Sequence, residues 1–274
     1  TAGDTLVFDG GFIFDSVFQS CFIPDVRSVW VRRGMWQHQQ SNDAVLSREK
    51  AFDLVISPSE AFDELNQSLS TGKNVHQVGP IVTSPGSTGF DVRNIRDNLK
   101  EKFGRDFDRL VVTMLGGGVA ADRTAQINSL CAAMERRSDT LHLIVVWPTA
   151  SVHSSWFHWR NSVPVKTHHA LPLMKASDLL VSAVGYNTFH DVVYQKIPTI
   201  FIPQMASYMD DQTSRARAAV ERDAALMVDP EDLQRLERLL TECLDQNRIS
   251  DIQAALSGLK LPNPGVQQAA NLIQ

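Results

Sequence analysis

SDLLVSAVGYNTFHDVVYQKIPTIFIPQ, residues 177–204, decides the reading of this chain. Two apolar runs, Leu179–Ala183 and Thr199–Pro203, bracket a segment that opens on Gly185, Tyr186, Asn187 and Thr188 and carries a helical pattern to about Lys196. Short, near-continuous apolar runs are strands buried on both faces, as in a parallel sheet. Parallel neighbours need a crossover of a dozen or so residues, usually a helix. The segment therefore reads as a strand–turn–helix–strand unit.

The same alternation extends on both sides. Leu110–Leu115, Leu141–Trp147 and Ala225–Val228 are further strands. In Asp122–Arg137, residues Ile127, Leu130, Cys131 and Met134 keep the helical period, and in Glu231–Asp245 Leu233, Leu236, Leu240 and Cys243 do so. Pro230 stands at the start of the latter, where its missing donor costs little. Toward the N-terminus, Thr5–Phe8, Ser28–Val31, Leu54–Ile56 and His76–Val78 are shorter strands. A turn-rich stretch follows Gly79-Pro80, and a boundary is expected near residues 84–92. The pattern predicts an α/β chain with two Rossmann-like parallel-sheet domains, residues 1–88 and 89–261, and a last helix within 262–274 that packs back on the first domain. The chain starts with Thr1, not Met, and is almost at once in a strand, so the N-terminal domain reads as incomplete. Phe12, Phe14, Phe18, Phe22 and Trp36 are expected mostly in the core, with an acceptor-facing role as the alternative.

Bulk properties exclude several classes. The chain has 274 residues, 43% of them hydrophobic, enough for a proper core. A net charge of −5 argues against a nucleic-acid partner. The three cysteines, Cys21, Cys131 and Cys243, are odd in number and form no Cys-x-x-Cys pair, which fits a reducing, cytoplasmic setting. The longest apolar runs, such as Leu141–Trp147, are too short to span a bilayer. His153 and His158, and the adjacent His168 and His169, lack the spacing of a helical zinc pair.

Three turns carry candidate chemistry. Gly116-Gly117-Gly118 follows a strand and precedes a helix, where backbone can approach an anion held by the helix N-terminus; a tight turn without a ligand is the bland alternative. The fingerprint for a dinucleotide is incomplete, since position 121 is Ala and the acidic residues Glu135 and Asp139 precede the next strand instead of following it. In the second turn, Asn187 and Thr188 either cap the helix or reach a phosphate, and Asp191, one turn further, either takes ribose hydroxyls or complements the helix dipole. In the third turn, Gln204, Asp211 and Gln212 suit sugar hydroxyls, with helix capping as the alternative. All three follow strands expected to be parallel, so they share the carboxyl edge at which such sheets bind ligands.

From Leu173 to Ala216 these residues resemble the donor-binding domain of GT-B glycosyltransferases, similar to the muramyl-peptide N-acetylglucosaminyltransferase and UDP-glucuronosyltransferase-like enzymes. The family pattern is Gly-Trp/Tyr-Asn-Ser/Thr, an acid, Gly-x-Pro, then Asp-Gln. The resemblance implies a UDP-sugar donor: Gly185, Tyr186, Asn187 and Thr188 at the diphosphate, Asp191 at the ribose, and Gln204, Asp211 and Gln212 at the sugar. It places Gly116, Gly117 and Gly118 opposite, and His169 and Leu171 near the base through their backbone. It implies no cofactor or metal, a lipid-linked or small-molecule acceptor, and peripheral membrane contact. Departures are Ala183 where many members have His, Lys196 for the Gly of Gly-x-Pro, and Arg215 for Asn. No catalytic base stands out; Asp9 is a weak candidate, with turn stabilisation as its alternative. A nucleotide-sugar epimerase and a non-catalytic nucleotide-sugar-binding subunit are the competing functions.

Overall fold

A computed structural model describes residues 3–33, 43–67, 72–83, 89–116, 122–205 and 210–274. Gly117, Gly118 and Trp36 lie outside the described residues. The chain divides into two compact units, one of Thr1–Thr83, Ser207–Asp211 and Lys260–Gln274, the other of Ser84–Ala206 and Gln212–Leu259.

The first unit runs through β1 (Asp4–Asp9), α1 (Asp15–Ser20), β2 (Val26–Val31), α2 (Asp43–Arg48), β3 (Leu54–Pro58) and β4 (Val75–Val78). Its sheet is parallel throughout, in the order β1-β2-β3-β4, with Val7 opposite Val29, Val29 opposite Leu54 and Val55 opposite Val75. Trp30 and Val55 are fully buried on one face, against Ile13 and Phe52. The aromatic residues near β1 depart from the expected core placement: Phe12, Phe14 and Phe22 are exposed. β1 is an edge strand, so the segments beside it have a neighbour on one side alone.

The second unit runs through α3 (Val92–Phe103), β5 (Arg109–Met114), α4 (Thr124–Glu135), β6 (Thr140–Val146), β7 (Ser162–Lys166), α5 (Leu171–Ala176), β8 (Leu179–Ser182), α6 (Tyr186–Gln195), β9 (Thr199–Phe201), α7 (Gln212–Val220), β10 (Leu226–Met227), α8 (Leu233–Asp245) and α9 (Arg248–Gly258). Its six strands are parallel, in the order β10-β9-β8-β5-β6-β7. Local chemistry sets the helix ends. Asp91 caps α3 by accepting from the amides of Arg93 and Asn94, and Gly104 ends it at φ 61°, a left-handed conformation that suits glycine. The apolar stripe of α4 packs with α8 and α9 on one face of the sheet, burying Leu130 and Met134 completely, at about 1.5–3 kcal/mol each. Cys131 and Cys243 are buried free thiols, and Cys21 is a partly exposed one.

β6 is buried along its whole length, His142 included. The His142 ring meets Thr113 Oγ1 on β5 and Ser162 Oγ on β7, each at 2.8 Å. Burial pushes its pKa down to about 3, so the ring is neutral and both nitrogens can be satisfied by hydroxyls. Side chains thus tie three adjacent strands. β7 was not anticipated: it carries Pro164, which counts against a strand, but β7 is an edge strand and tolerates it.

The final helix, α10 (Val266–Ile273), belongs to the first unit. Ala269, Leu272 and Ile273 pack against Val29, Leu54 and Ile56. Arg27 of β2 donates to the carbonyls of Ile273 and Leu272 at 2.6 and 2.8 Å, satisfying two acceptors that a helix end leaves open.

Candidate functional site

In the second unit, winding reverses between β5 and β8: β6 and β7 lie to one side of β5, and β8, β9 and β10 to the other. Such a reversal leaves a crevice at the carboxyl ends of the two strands. Those ends are joined directly. The Ala183 amide donates to the Met114 carbonyl at 3.0 Å, and the buried Ser182 hydroxyl lies within reach of the carbonyls of Met114 and Ala183. The turns beginning at Gly116 and at Ala183 are therefore neighbours.

Two glutamines fix these turns. Gln212, the first residue of α7 and 2% exposed, accepts with one side-chain oxygen from the amides of Val184 (2.9 Å) and Gln204 (3.0 Å). Gln204 in turn donates from Nε2 to the Leu115 carbonyl at 2.9 Å. The segments after β5, β8 and β9 are thus stapled together by amide groups. Gly116 is required where it stands: its φ is +89°, and a Cβ there would come within 2.6 Å of Gln204 Nε2.

α6 starts without a side-chain cap. Its N-cap is Gly185, at φ −62° and ψ 155°, and neither Asn187 nor Thr188 fills the capping role considered for it. Both stand within the first turn, Asn187 exposed and Thr188 partly so. The turn thus presents backbone donors, an amide and a hydroxyl at the positive end of a ten-residue helix. Asp191, partly exposed, follows one turn on, on the face of Asn187. Tyr186 turns inward instead: it is 3% exposed, its ring lies 4.0 Å from that of His190, and the buried Arg215 guanidinium is 5.5 Å from its centroid. Arg215 also reaches the Val184 carbonyl at 3.5 Å, so this departure from the family pattern is a support behind the turn.

The remaining candidates are more dispersed. His169 is exposed, with its ring against Phe90 and its amide donating to Thr167 Oγ1 at 3.0 Å. The Leu171 side chain is buried. Asp211 precedes α7 and is partly exposed. Asp9, in the first unit at the end of β1, is held by the Arg33 guanidinium at 3.0 and 3.1 Å. Among the described residues, no three His, Cys, Asp or Glu side chains converge as metal ligands. Ser182 and Arg123 were not singled out from sequence; a buried serine at a strand end is a weak signal, and Arg123 gives none.

The arrangement defines a class by its architecture: a parallel-sheet unit with its candidate donors at the topological switch point, in a chain with the fold of GT-B glycosyltransferases. A MurG from Acinetobacter baumannii superposes with a TM-score of 0.58 over 99% of this chain and 73% of that one, at 14% identity. Residues 148–259 match the C-terminal domain of glycosyltransferase family 28. Two sequence relatives bear the name UDP-N-acetylglucosamine–N-acetylmuramyl-(pentapeptide) pyrophosphoryl-undecaprenol N-acetylglucosamine transferase. The one from Christiangramia forsetii is 26% identical over 63% of this chain and 48% of its own length. The one from Bacteroides fragilis is 22% identical over 85% of this chain and 61% of its own. The chain thus spans about half to three fifths of these relatives. Among the described residues, no helix is long and apolar enough to cross a membrane.

Proposed function

We propose that this chain takes part in transfer of a sugar from a UDP-sugar, with the second unit as its donor-binding half. The observation that carries the proposal is the uncapped start of α6 beside the Gly116 turn, at the switch point of a sheet whose residues 148–259 match a glycosyltransferase domain. Diphosphate oxygens would accept from the first-turn amides of α6 and from Asn187 and Thr188. Asp191 would accept from the ribose hydroxyls, and Asp211 would meet the sugar. The base would contact backbone near His169 and Leu171. Gln204 and Gln212 would hold the turns in register.

Departure of the diphosphate builds negative charge on its oxygens, and donors already aimed at that position lower the barrier without reorganising. The acceptor hydroxyl needs a base within hydrogen-bond reach. Asp9, the candidate read from the sequence, is engaged with Arg33. The undecaprenol in the names of these relatives favours a lipid-linked acceptor, and such an acceptor would bring the chain into peripheral contact with a membrane. Donor binding in this scheme needs no metal.

Calorimetric titration with UDP, UDP-N-acetylglucosamine and UMP, with and without EDTA, tests the proposal. UDP should bind more tightly than UMP, and EDTA should change nothing. Asp191→Asn should weaken UDP by roughly ten- to a hundredfold, the value of hydrogen bonds to a charged group. Absence of binding by either uridine diphosphate compound would overturn it.

A further inference from the structure

A roomy cavity of the second unit lies elsewhere. It occupies about 470 Å³ at the carboxyl ends of β5 and β6, under the start of α4, a size suited to a small ligand. Leu115, Ile127, Val146 and Trp156 give it apolar walls; Arg123 and His153 are its basic groups. No residue of α6 is among the described residues lining this cavity, and Gly116 at the end of β5 is common to it and to the donor turns.

Arg123 is the anomaly. Its side chain is 8% exposed, yet its Nε has no hydrogen-bond partner and no carboxylate forms an ion pair with it among the described residues. Burial lowers its pKa with no neighbouring charge to offset the effect. Asp122 also lines the cavity, its carboxylate accepting from the Thr124 amide at 2.9 Å, and His153 is engaged with Ser155 at 2.7 Å. Trp156 also lines the cavity, with its Nε1 closed off from it, so its ring contributes apolar surface. Arg123 also stands at the N-cap of the twelve-residue α4 without a side-chain cap, so the helix dipole adds to its positive charge. A buried guanidinium without a counter-charge is strongly unfavourable, and buried donors without acceptors are rare enough to need a reason. The Nε atom is closed off, so the terminal nitrogens of the guanidinium are the part open to a ligand, and over apolar surface they suit an anionic acceptor attached to an apolar body.

We propose that this cavity is a second binding site, for a small organic anion whose charged group pairs with Arg123 and whose apolar part lies against Ile127, Val146 and Trp156. The planar guanidinium suits a two-pronged contact with such a group. The inference does not depend on the donor reading, since it uses none of the α6 residues.

Benzoate and inorganic phosphate, titrated into the chain by calorimetry and by tryptophan fluorescence, provide the test. Benzoate should bind and phosphate should bind much more weakly. Arg123→Met should weaken benzoate by roughly ten- to a hundredfold, melt no lower than the parent because it removes an uncompensated charge, and leave UDP titrations unchanged. Arg123→Lys, which keeps the charge and loses the fork, should also weaken benzoate. Trp156→Phe should abolish the fluorescence change and keep the heat. The inference is overturned if benzoate does not bind at millimolar concentration, if phosphate binds equally well, or if both Arg123 variants bind benzoate like the parent.

Discussion

Replacing Gln212 by leucine should lower the stability of the second unit by an amount that the hydrogen bonds fix in advance. Leucine nearly preserves the buried volume and removes the oxygen that accepts from the amides of Val184 and Gln204. A buried donor left without a partner costs about 1–3 kcal/mol. Two donors give roughly 2–6 kcal/mol, and water reaching one of them brings the expectation to about 2–4 kcal/mol. For a domain of this size each kcal/mol moves the melting temperature by about 2–4 °C, so the transition should fall by roughly 4–16 °C. Gln212→Glu is the control. Its carboxylate keeps an acceptor for both amides but buries a charge that the start of α7 offsets only in part, so it should melt between the leucine variant and the parent. Differential scanning calorimetry reads both. A leucine variant that melts with the parent would mean that the two amides find other partners and that Gln212 does not staple the turns.

Gly116→Ala should destabilise by about 1–2 kcal/mol through its left-handed backbone alone, and it should weaken UDP further by displacing Gln204 from Leu115; urea titration and calorimetry separate the two effects. His142 titrates near its ordinary 6.5 in the unfolded chain and at about 3 in the folded one. The unfolded state therefore holds the extra proton between these values, and the contribution of His142 is complete above about pH 6.5 and lost as pH falls toward 3, with a slope of at most about 1.4 kcal/mol per pH unit. Subtracting the stability profile of His142→Gln from that of the parent should reveal this slope; parallel profiles would contradict it.

The central strands were legible because burial on both faces leaves an unmistakable apolar run, as in Leu141–Val146 and Leu179–Val181. β7 was not, because a proline is excluded from a central strand and permitted at an edge, and sequence does not say which strand is the edge. The three turns were found from their glycines, amides and acids. What each residue does in them was not: Gln212 bonds to amides 28 and 8 residues away, and such pairings follow from strand order. The same holds for α6, where Asn187 and Thr188 are favoured caps by type, yet Gly185 occupies the position. Arg123 was invisible for a stronger reason, since an arginine near a helix start is ordinary until its burial and its lack of a partner are known.

The return of α10 to the first unit bears on how the two halves can be separated. Cutting the chain between Thr83 and Ser84 would strip the first unit of the helix that covers Val29, Leu54 and Ile56, and the fragment would expose an apolar sheet face prone to aggregation. Gly3 lies against Asp25, and Leu272 and Ile273 against Arg27, so the two ends of the described chain meet at the same part of β2. A circular permutant that begins at Lys260 and joins Gln274 to Thr1 through a short linker would bring Lys260–Gln274 and Thr1–Thr83 into one stretch, with Ser207–Asp211 still supplied from within the second unit's sequence.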